Sequence, residues 1–550
     1  MKKGIFAVLM AMVMMVSVLA GCGNSTETKP ASNAATENTG SSTEVTVEAP
    51  TGEAFASLPD KLSDGVVAAT PEMYSNIDLS APYTVHMYLV GDTPNDWKDV
   101  LGEINAYLEP FNTTLDVTFM SWADYNTMYS LVLAGGEEID CIYTAPWCYM
   151  FTEAAKGSFK VLSDDFVNKY MPLTAKYQDP KSFKESTVNG QLVAIPANNE
   201  TAQNKIVAIR QDIAEKYGIT ELKNWDDYMN YMLTVAEKET PVSGIYAQAS
   251  SADNVEVWHV YRQQYDTFYL LDDNYLTYMF QYDGQVPEAE DIKFAWDTDI
   301  FRGFAKDMKK LADAGCWSRS ALSATTTDDE AFGALQGASI AWNGTVFTYM
   351  KQAENTEGVK CAAYDLTTDH LVACEEFNNS DFGITASSKN PERTAMVLDI
   401  LKMDTKANRL ATLGIEGVHY TINDDNTYNK LDKAGDYPAD GIALSWAIRN
   451  SDRRYTEAGR PEREEKMYSS WDERIVGNPA VTFVFDDAKV ADEAAAVKSI
   501  IAEYIYMLQL GLVDDPDASI DEMLERCNKA GLEKVTTELI EQYKEWLKTQ

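Results

Sequence analysis

The chain has 550 residues, of which 45% are hydrophobic and 24% charged, a balance typical of a large globular protein with more than one compact unit. Its 86 Asp and Glu outnumber its 46 Lys and Arg, and the formal charge of −40 opposes binding to nucleic acid or to an anionic membrane surface. Because its 4 histidines are scattered and its 7 cysteines contain no Cys-x-x-Cys pair, we expect neither a metal ion nor an organic cofactor.

The N-terminus has the form of a secretory signal. A positive start at Lys2 and Lys3 precedes an apolar run over residues 5–19, so residues 1–21 are predicted to be a signal peptide. The stretch LAGC resembles a bacterial lipobox, which predicts lipidation of Cys22. Residues 22–58 have few apolar anchors and are predicted to form a flexible tether. We therefore expect a lipid-anchored protein on the extracytoplasmic face of the cell membrane, attached through its lipid only.

The body alternates between strand and helix patterns. YTVHMYLV predicts a first strand, TTLDVTF a second and IDCIYTAP a third, with helical patterns between them. GQLVAIP and KIVAIR predict two further strands around Pro196. This alternation predicts an α/β fold with parallel-rich sheets, in which ligands bind at the carboxyl ends of the strands.

The C-terminal region is predicted to be helical. Apolar residues follow helical spacing from Val497 to Leu508, and Gly511 ends that run. Ser519 and Glu522 predict a capping box at the start of the next helix. We interpret this apolar stripe as core packing.

The order of several segments resembles the sugar-type, family-1 extracellular solute-binding proteins of bacterial ABC importers. The segments that carry the resemblance are GEEIDCIYTAPW, KGSFKVLSDDFVNKYMP, NGQLVAIP, IRQDIAEKYGI, AFGALQGASIAWNG and DFGITASSKNPERTAMVLDILKMD. LGIEGVHY and the ending GLEKVTTELIEQYKEWL resemble the large lipoprotein branch, which has an added C-terminal region. Together these segments span roughly residues 80–550.

The resemblance implies a two-lobed periplasmic-binding-protein-like fold. Crossover strands would form a hinge, and a ligand cleft would lie between the lobes. Lobe 1 is expected over residues 80–196 with about 380–440, and lobe 2 over 197–379 with about 470–550, including the C-terminal helices. The implied role is that of a monomeric protein that captures a carbohydrate, expected to be an oligosaccharide, and delivers it to ABC permease subunits without catalysing a reaction.

Candidate ligand contacts combine aromatic and polar side chains at predicted strand ends. Aromatic faces cover the apolar faces of a sugar, and polar side chains satisfy its hydroxyl groups. The candidates are Asp92, Thr93, Tyr143, Thr144, Trp147, Asn198, Asn199, Trp342, Asn343, Glu416, His419, Tyr420 and Trp446. Trp225, by contrast, is predicted to begin a helix, and Trp258 to serve in core packing or in a stripe on the lobe surface.

Other functions are weighed against this interpretation. An exported hydrolase has little support, because the chain contains neither Gly-x-Ser-x-Gly nor His-Glu-x-x-His. A peptide or polyamine ligand would suit the net acidity, yet the acidic residues are spread along the whole chain. A surface receptor without transport remains an alternative, because contact with a permease leaves no motif.

Overall fold

The computed structural model describes residues 46–550 except 123, 136–137, 189, 203, 249–253, 273–274, 283, 325–326, 425–426 and 454. The predicted signal peptide and Cys22 lie outside the described residues. The strands are β1 (Tyr83–Val90), β2 (Thr113–Met120), β3 (Cys141–Thr144), β4 (Thr187–Val188), β5 (Gln191–Leu192), β6 (Ile195–Pro196), β7 (Thr201–Ala202), β8 (Ile206–Arg210), β9 (Thr267–Leu271), β10 (Tyr278–Gln281), β11 (Lys293–Phe294), β12 (Ser339–Trp342), β13 (Cys361–Tyr364), β14 (Val372–Glu375), β15 (Asp381–Ile384), β16 (Tyr420–Ile422), β17 (Thr427–Lys430), β18 (Thr456–Glu457) and β19 (Ile475–Val476).

The helices are distributed over the whole described chain. They are α1 (Trp97–Leu108), α2 (Tyr125–Ala134), α3 (Met150–Ala155), α4 (Asp164–Tyr170), α5 (Pro172–Tyr177), α6 (Pro180–Glu185), α7 (Gln211–Lys216), α8 (Trp225–Thr234), α9 (Thr240–Ser243), α10 (Val255–Arg262), α11 (Asp299–Asp313), α12 (Asp328–Gly333), α13 (Val346–Glu354), α14 (Pro391–Met403), α15 (Thr405–Leu413), α16 (Ala443–Ala447), α17 (Glu462–Asp472), α18 (Ala491–Gln509), α19 (Pro516–Ala530) and α20 (Leu532–Leu547). A π-helical segment, Val235–Glu239, joins α8 to α9.

Lobe 1 is built on a sheet with the order β2-β1-β3-β15-β6. β1 runs parallel to β2 and β3, whereas β15 is antiparallel to β3. The parallel pairing follows from the helical crossover α1, whose apolar face packs on the sheet. The Asn105 side chain of α1 accepts from the Leu115 amide and donates to its carbonyl, which fixes the helix against β2. The three parallel strands therefore end at one common edge.

Lobe 2 contains two small sheets and a helical layer. β8 lies between β12 and β13 and is antiparallel to both, while β9, β10 and β11 form an antiparallel meander. Trp225 is buried at the start of α8, and Asn224 caps that helix through the Asp227 amide. Trp258 is also buried, in contact with Trp296 and Phe301. The structure thus agrees with the prediction that both tryptophans are structural.

Crossover segments connect the two cores. β7 pairs antiparallel with β14, and β14 pairs in parallel with β19, so chain returning from lobe 2 lies beside chain leaving lobe 1. A further crossover passes Asn450, which forms a parallel bridge with Asn198. Three stretches of chain therefore run side by side between the lobes.

The C-terminal helices α18, α19 and α20 pack into the core of lobe 2. Gly511 ends the run of α18 in a left-handed conformation, as predicted. The prediction that this helix begins at Ser519 is wrong. Asp515 caps α19 by accepting from the Ala518 amide, and Pro516 occupies the first helical turn. An Asp cap followed by Pro begins a helix more strongly than the Ser519–Glu522 pair.

The described chain begins inside the predicted tether. The Thr46 and Glu48 amides donate to the side chains of Asp164 and Asn168 on α4, and Phe55 packs against the core of lobe 1. Residues 46–58 therefore lie on lobe 1. All six cysteines among the described residues are buried and free of disulfides.

Candidate functional site

Three tryptophans form an aromatic surface at the carboxyl edge of the lobe 1 sheet, which we term the tryptophan platform: Trp122, Trp147 and Trp446. The ring of Trp122 lies 6.4 Å from that of Trp147 and 6.1 Å from that of Trp446. Trp122 and Trp147 follow β2 and β3, and Trp446 lies on α16. Trp122 is 43% exposed and Trp147 41% exposed. Large apolar rings left in solvent at a strand edge are well suited to stack on a ligand.

Hydrogen bonds hold two of the platform rings in place. Trp147 Nε1 donates to the carbonyl oxygen of Asn379, 2.9 Å away, and Trp446 Nε1 donates to that of Asp440 at 2.8 Å. Gly91 has a φ of +109°, which favours glycine, and a Cβ at this position would lie 3.5 Å from the Trp122 ring. Asp92 and Thr93 follow Gly91 directly and are exposed. The platform is thus oriented by backbone groups before any ligand binds.

Tyr143 and Thr144 lie beneath the platform rather than on it. The Tyr143 ring is fully buried, 5.7 Å from the ring of Trp147 and 6.2 Å from that of Trp446. Its hydroxyl is hydrogen bonded to that of Ser380 at 3.0 Å. Thr144 Oγ1 donates to the Cys148 carbonyl. Both belong to a strand that is buried on its two faces, so in this structure they support the tryptophans and do not face solvent.

Asn198 and Asn199 are buried where the crossovers meet. Asn198 accepts from the Asp179 amide and donates to the Tyr177 carbonyl, and its own amide donates to the Arg449 carbonyl. The Ser451 hydroxyl donates to Asn199. Asn198 therefore ties the crossover chains together in this structure, and its side chain is already engaged by protein atoms.

The segment from Glu416 to Tyr420 lies beside the start of α1. His419 is buried; its Nδ1 accepts from the Ile415 amide, and its Nε2 is 3.3 Å from Asp96 Oδ2. Tyr420 is buried in a small apolar cluster with Leu413 and Tyr428. Glu416 is exposed. Among these three candidates only Glu416 presents its side chain to solvent.

Trp342 and Asn343 lie on lobe 2, at the end of β12. Trp342 is half-buried and packs against a separate cluster of that lobe. The Asn343 side chain accepts from the amide and the hydroxyl of Thr345, which fixes the turn before α13. These two residues belong to the other side of the crossover region from the platform.

A charged network extends the platform toward the hinge. Arg449 Nε donates to both carboxylate oxygens of Asp440, each at 2.9 Å, and Arg449 NH1 lies 3.8 Å from Glu375 Oε1. Burial opposes the charge of Arg449, yet Asp440 and Glu375 together raise the pKa of the guanidinium above its usual value. Glu375 also accepts from the Asn379 side chain. Platform and crossover thus share one set of polar contacts.

Two carboxyl groups near the crossovers are protonated more easily than usual. Burial raises the pKa of Glu185 to about 8, and Glu376 adds to this shift while Lys181 opposes it. Burial likewise raises the pKa of Glu376 to about 7. Glu185 accepts from the Phe377 amide at 2.9 Å, directly at the β14–β15 crossover. The ionisation state of these carboxyls therefore bears on the segment that links the lobes.

Sequence reasoning missed Trp122, Asp440 and Glu375. Trp122 follows β2 by two residues, so the strand-end criterion that selected Trp147 also applies to it. Asp440 precedes Trp446 in an irregular segment and carries no local signal. Within the described residues, no group of three His, Cys, Asp or Glu side chains is placed to hold a metal ion. No helix in this part of the chain is long and apolar enough to cross a membrane.

Comparisons with known proteins extend over most of the chain. A carbohydrate ABC transporter substrate-binding protein of Streptococcus pneumoniae is 22% identical over 468 residues, covering 84% of this chain and 91% of the relative. The polygalacturonan/rhamnogalacturonan-binding protein YtcQ of Bacillus subtilis is 21% identical over 457 residues, covering 79% of this chain and 86% of YtcQ. A domain of unknown function, DUF3502, matches residues 479–548, which include α18, α19 and α20.

Among solved structures, the N-glycan transport solute binding protein NgtS of Streptococcus pneumoniae superposes with a TM-score of 0.67 at 19% identity, over 85% of this chain and 99% of NgtS. The chain has the solute-binding-protein fold. The resemblance drawn from the order of sequence segments is confirmed, as is the α/β two-lobed fold class. The relative from Streptococcus pneumoniae is named as a substrate-binding protein of an ABC transporter and YtcQ as a binding protein, in agreement with the expectation of a non-catalytic role.

Proposed function

We propose that this protein captures an oligosaccharide on the tryptophan platform and delivers it to the permease of an ABC importer. The single observation that carries the proposal is the platform itself, in which Trp122 and Trp147 stay 43% and 41% exposed at the carboxyl edge of the lobe 1 sheet. Sugar rings present apolar C–H faces that stack on indoles, and their hydroxyls bond to the polar groups around them. NgtS has been solved in complexes with Man1GlcNAc and Man5GlcNAc, which supports a carbohydrate as the ligand.

The crossovers act as the hinge in this proposal. Strands β7, β14 and β19 pair with one another between the lobes. Trp147 is hydrogen bonded to the crossover residue Asn379. A ligand stacked on Trp147 is therefore one hydrogen bond from the segment that must bend when the lobes close. The ligand would bind the closed form more tightly than the open form, and binding would therefore shift the equilibrium toward closure.

The proposal includes an anchor and partners. Lipidation at Cys22 would hold a monomer on the extracytoplasmic face of the cell membrane, with residues 23–45 as the link to the body. A permease pair in the same membrane would receive the closed, loaded form. Candidate contacts kept in the proposal are those with solvent access near the platform: Asp92, Thr93, Trp147, Trp446 and the added Trp122. Trp342, Asn343 and Glu416 are kept as contacts that closure could bring to the ligand.

A thermal-shift screen tests this proposal without assuming the ligand chemistry. The protein from residue 23 onward is heated with neutral oligosaccharides, oligogalacturonates, peptides and polyamines, because a ligand that binds only the folded state raises the melting temperature by mass action. We expect a dose-dependent rise with one saccharide series. A rise only with peptides or polyamines would keep the fold and overturn the ligand class. No rise with any member would favour a surface receptor without transport.

A further inference from the structure

Asp440 has a backbone conformation that residues other than glycine seldom adopt. Its φ is +53°, in the left-handed region. Three protein groups hold it there. The Asp440 amide donates to the Thr412 carbonyl at 2.8 Å, its carbonyl accepts from Trp446 Nε1, and its carboxylate is bound by Arg449. Several contacts with the surrounding structure therefore stabilise this conformation and hold the carboxylate next to Trp446.

The Asp440 carboxylate is both fixed and accessible. Its side chain is 49% exposed, although Arg449 Nε reaches both of its oxygens at 2.9 Å. A carboxylate offers about four acceptor sites, so sites remain for donors from solvent or a ligand. Because its own carbonyl accepts from Trp446 Nε1, the carboxylate lies at the rim of the tryptophan platform. A sugar stacked on Trp446 would bring its hydroxyl groups to these acceptors.

The charge around this position selects against acidic sugars. Arg449 already faces two carboxylates, Asp440 at 2.9 Å and Glu375 at 3.8 Å. The group Asp440–Arg449–Glu375 thus has an excess of one negative charge when both acids are ionised. A uronate would add a further carboxylate beside this group, and the formal charge of −40 on the chain opposes it as well. Uncharged hydroxyls, in contrast, can donate to these oxygens without repulsion.

We propose that Asp440, positioned by Arg449, accepts hydrogen bonds from hydroxyls of a sugar stacked on Trp446 and makes the site selective for neutral over uronic-acid saccharides. This assignment rests on the proposed function, since it needs a saccharide on the platform. It gives that function a substrate class and names a specificity-determining residue that is remote in sequence from the strand ends. The relative YtcQ, named for binding polygalacturonan and rhamnogalacturonan, provides the opposite class for comparison.

The test compares Asp440→Asn with wild type on two probes, Man5GlcNAc and tetragalacturonate, by titration calorimetry. Asn tolerates positive φ, so the backbone conformation should be retained, while the loss of a charged partner for the partly buried Arg449 should lower the melting temperature modestly. We expect Asp440→Asn to bind Man5GlcNAc about tenfold or more weakly, because a charged acceptor is replaced in part by a donor. The ratio of affinities for Man5GlcNAc and tetragalacturonate should fall as well. Asp521→Asn, which removes the carboxylate paired at 2.7 Å with Arg302 on lobe 2, is the matched control and should change neither affinity.

The outcomes separate this assignment from the proposed function. If wild type prefers tetragalacturonate, or if Asp440→Asn binds Man5GlcNAc as tightly as wild type, the assignment to Asp440 is overturned while sugar capture stands. If wild type binds neither probe nor any other saccharide of the thermal-shift panel, the proposed function fails and this assignment fails with it. A second variant, Asp440→Gly, relieves the backbone constraint as it removes the carboxylate, and it should also weaken Man5GlcNAc binding.

Discussion

The indole nitrogen of Trp147 donates a hydrogen bond of 2.9 Å to the carbonyl oxygen of Asn379. Trp147 belongs to the exposed platform of lobe 1, whereas Asn379 lies on the crossover between β14 and β15. The Asn379 side chain in turn donates to Glu375, at the end of the strand that pairs with β7. The ring that we propose to stack on the ligand is thus connected in two steps to the strands that join the lobes.

Replacing Trp122 or Trp147 with Ala should weaken saccharide binding while leaving the melting temperature nearly unchanged. Both rings are substantially exposed, and stacking contributes about 0.5–1.5 kcal/mol beyond buried area. The buried Trp258 is the control, because its loss in Trp258→Ala should cost about 3–5 kcal/mol of folding free energy. Calorimetric titration measures the saccharide affinity of each variant, and thermal melts measure its stability. A large fall in melting temperature with unchanged affinity would show that the platform rings stabilise the fold and do not bind the ligand.

Replacing Trp342 with Ala separates two roles on lobe 2. We expect weaker saccharide binding if closure brings the half-buried ring to the ligand. Its packing against the separate cluster of lobe 2 predicts some loss of stability in addition. The same titration and thermal melt measure both effects. Unchanged affinity with a lowered melting temperature would remove Trp342 from the candidate contacts.

The buried Glu185 predicts a pH-dependent stability. Its pKa is raised from 4.5 to about 8 in the folded protein, so the folded state holds a proton that the unfolded state releases. The associated stability is fully present below about pH 4.5 and is lost as the pH rises through about 8. We expect the melting temperature of wild type to fall between pH 5 and 8 relative to Glu185→Gln, which lacks this group. Glu103→Gln, on the exposed face of α1, should follow the wild-type profile, and parallel profiles for all three proteins would contradict the prediction.

Gly511 limits how α18 can dock on lobe 2. Its φ is +62°, and an added Cβ would lie 2.2 Å from the Met308 carbonyl oxygen on α11. Gly511→Ala should therefore destabilise the protein by on the order of 2–4 kcal/mol, through strain and a backbone clash. Gly157→Ala shares a positive φ but meets nothing within 4 Å, so we expect only about 1 kcal/mol there. Chemical denaturation of both variants measures the difference, and equal costs would remove the packing argument.

The proposed lipidation of Cys22 predicts where the protein is found in the cell. Cys22→Ser should move it from the membrane pellet to the soluble fraction, since the acyl chains supply the lasting attachment. Ser25→Ala leaves the lipobox pattern unchanged and should remain in the pellet. Fractionation followed by immunoblotting checks this. Pelleting of Cys22→Ser at the wild-type level would contradict the anchor.

The sequence alone determined much of the architecture. Runs of β-branched and aromatic residues bounded by turns located β1, β2 and β3, and helical spacing located the C-terminal helices. The order of motifs indicated the solute-binding fold. These signals could be read because they are local in the chain. The strand-end criterion also found Trp147. It would have found Trp122, had the residues after β2 been considered in the same way.

Tertiary structure decided which candidates reach solvent and which distant residues meet. Tyr143 lies within β3, the strand that Trp147 follows, and is buried because β3 is covered on both faces. His419 is enclosed by contacts with Ile415 and Asp96, and no local pattern distinguishes that environment from an exposed one. Asp440 reaches the platform only because α16 and its preceding segment return to the edge formed by β2 and β3. Contacts over such separations arise from packing of the whole lobe, so spacing along the chain carries no record of them.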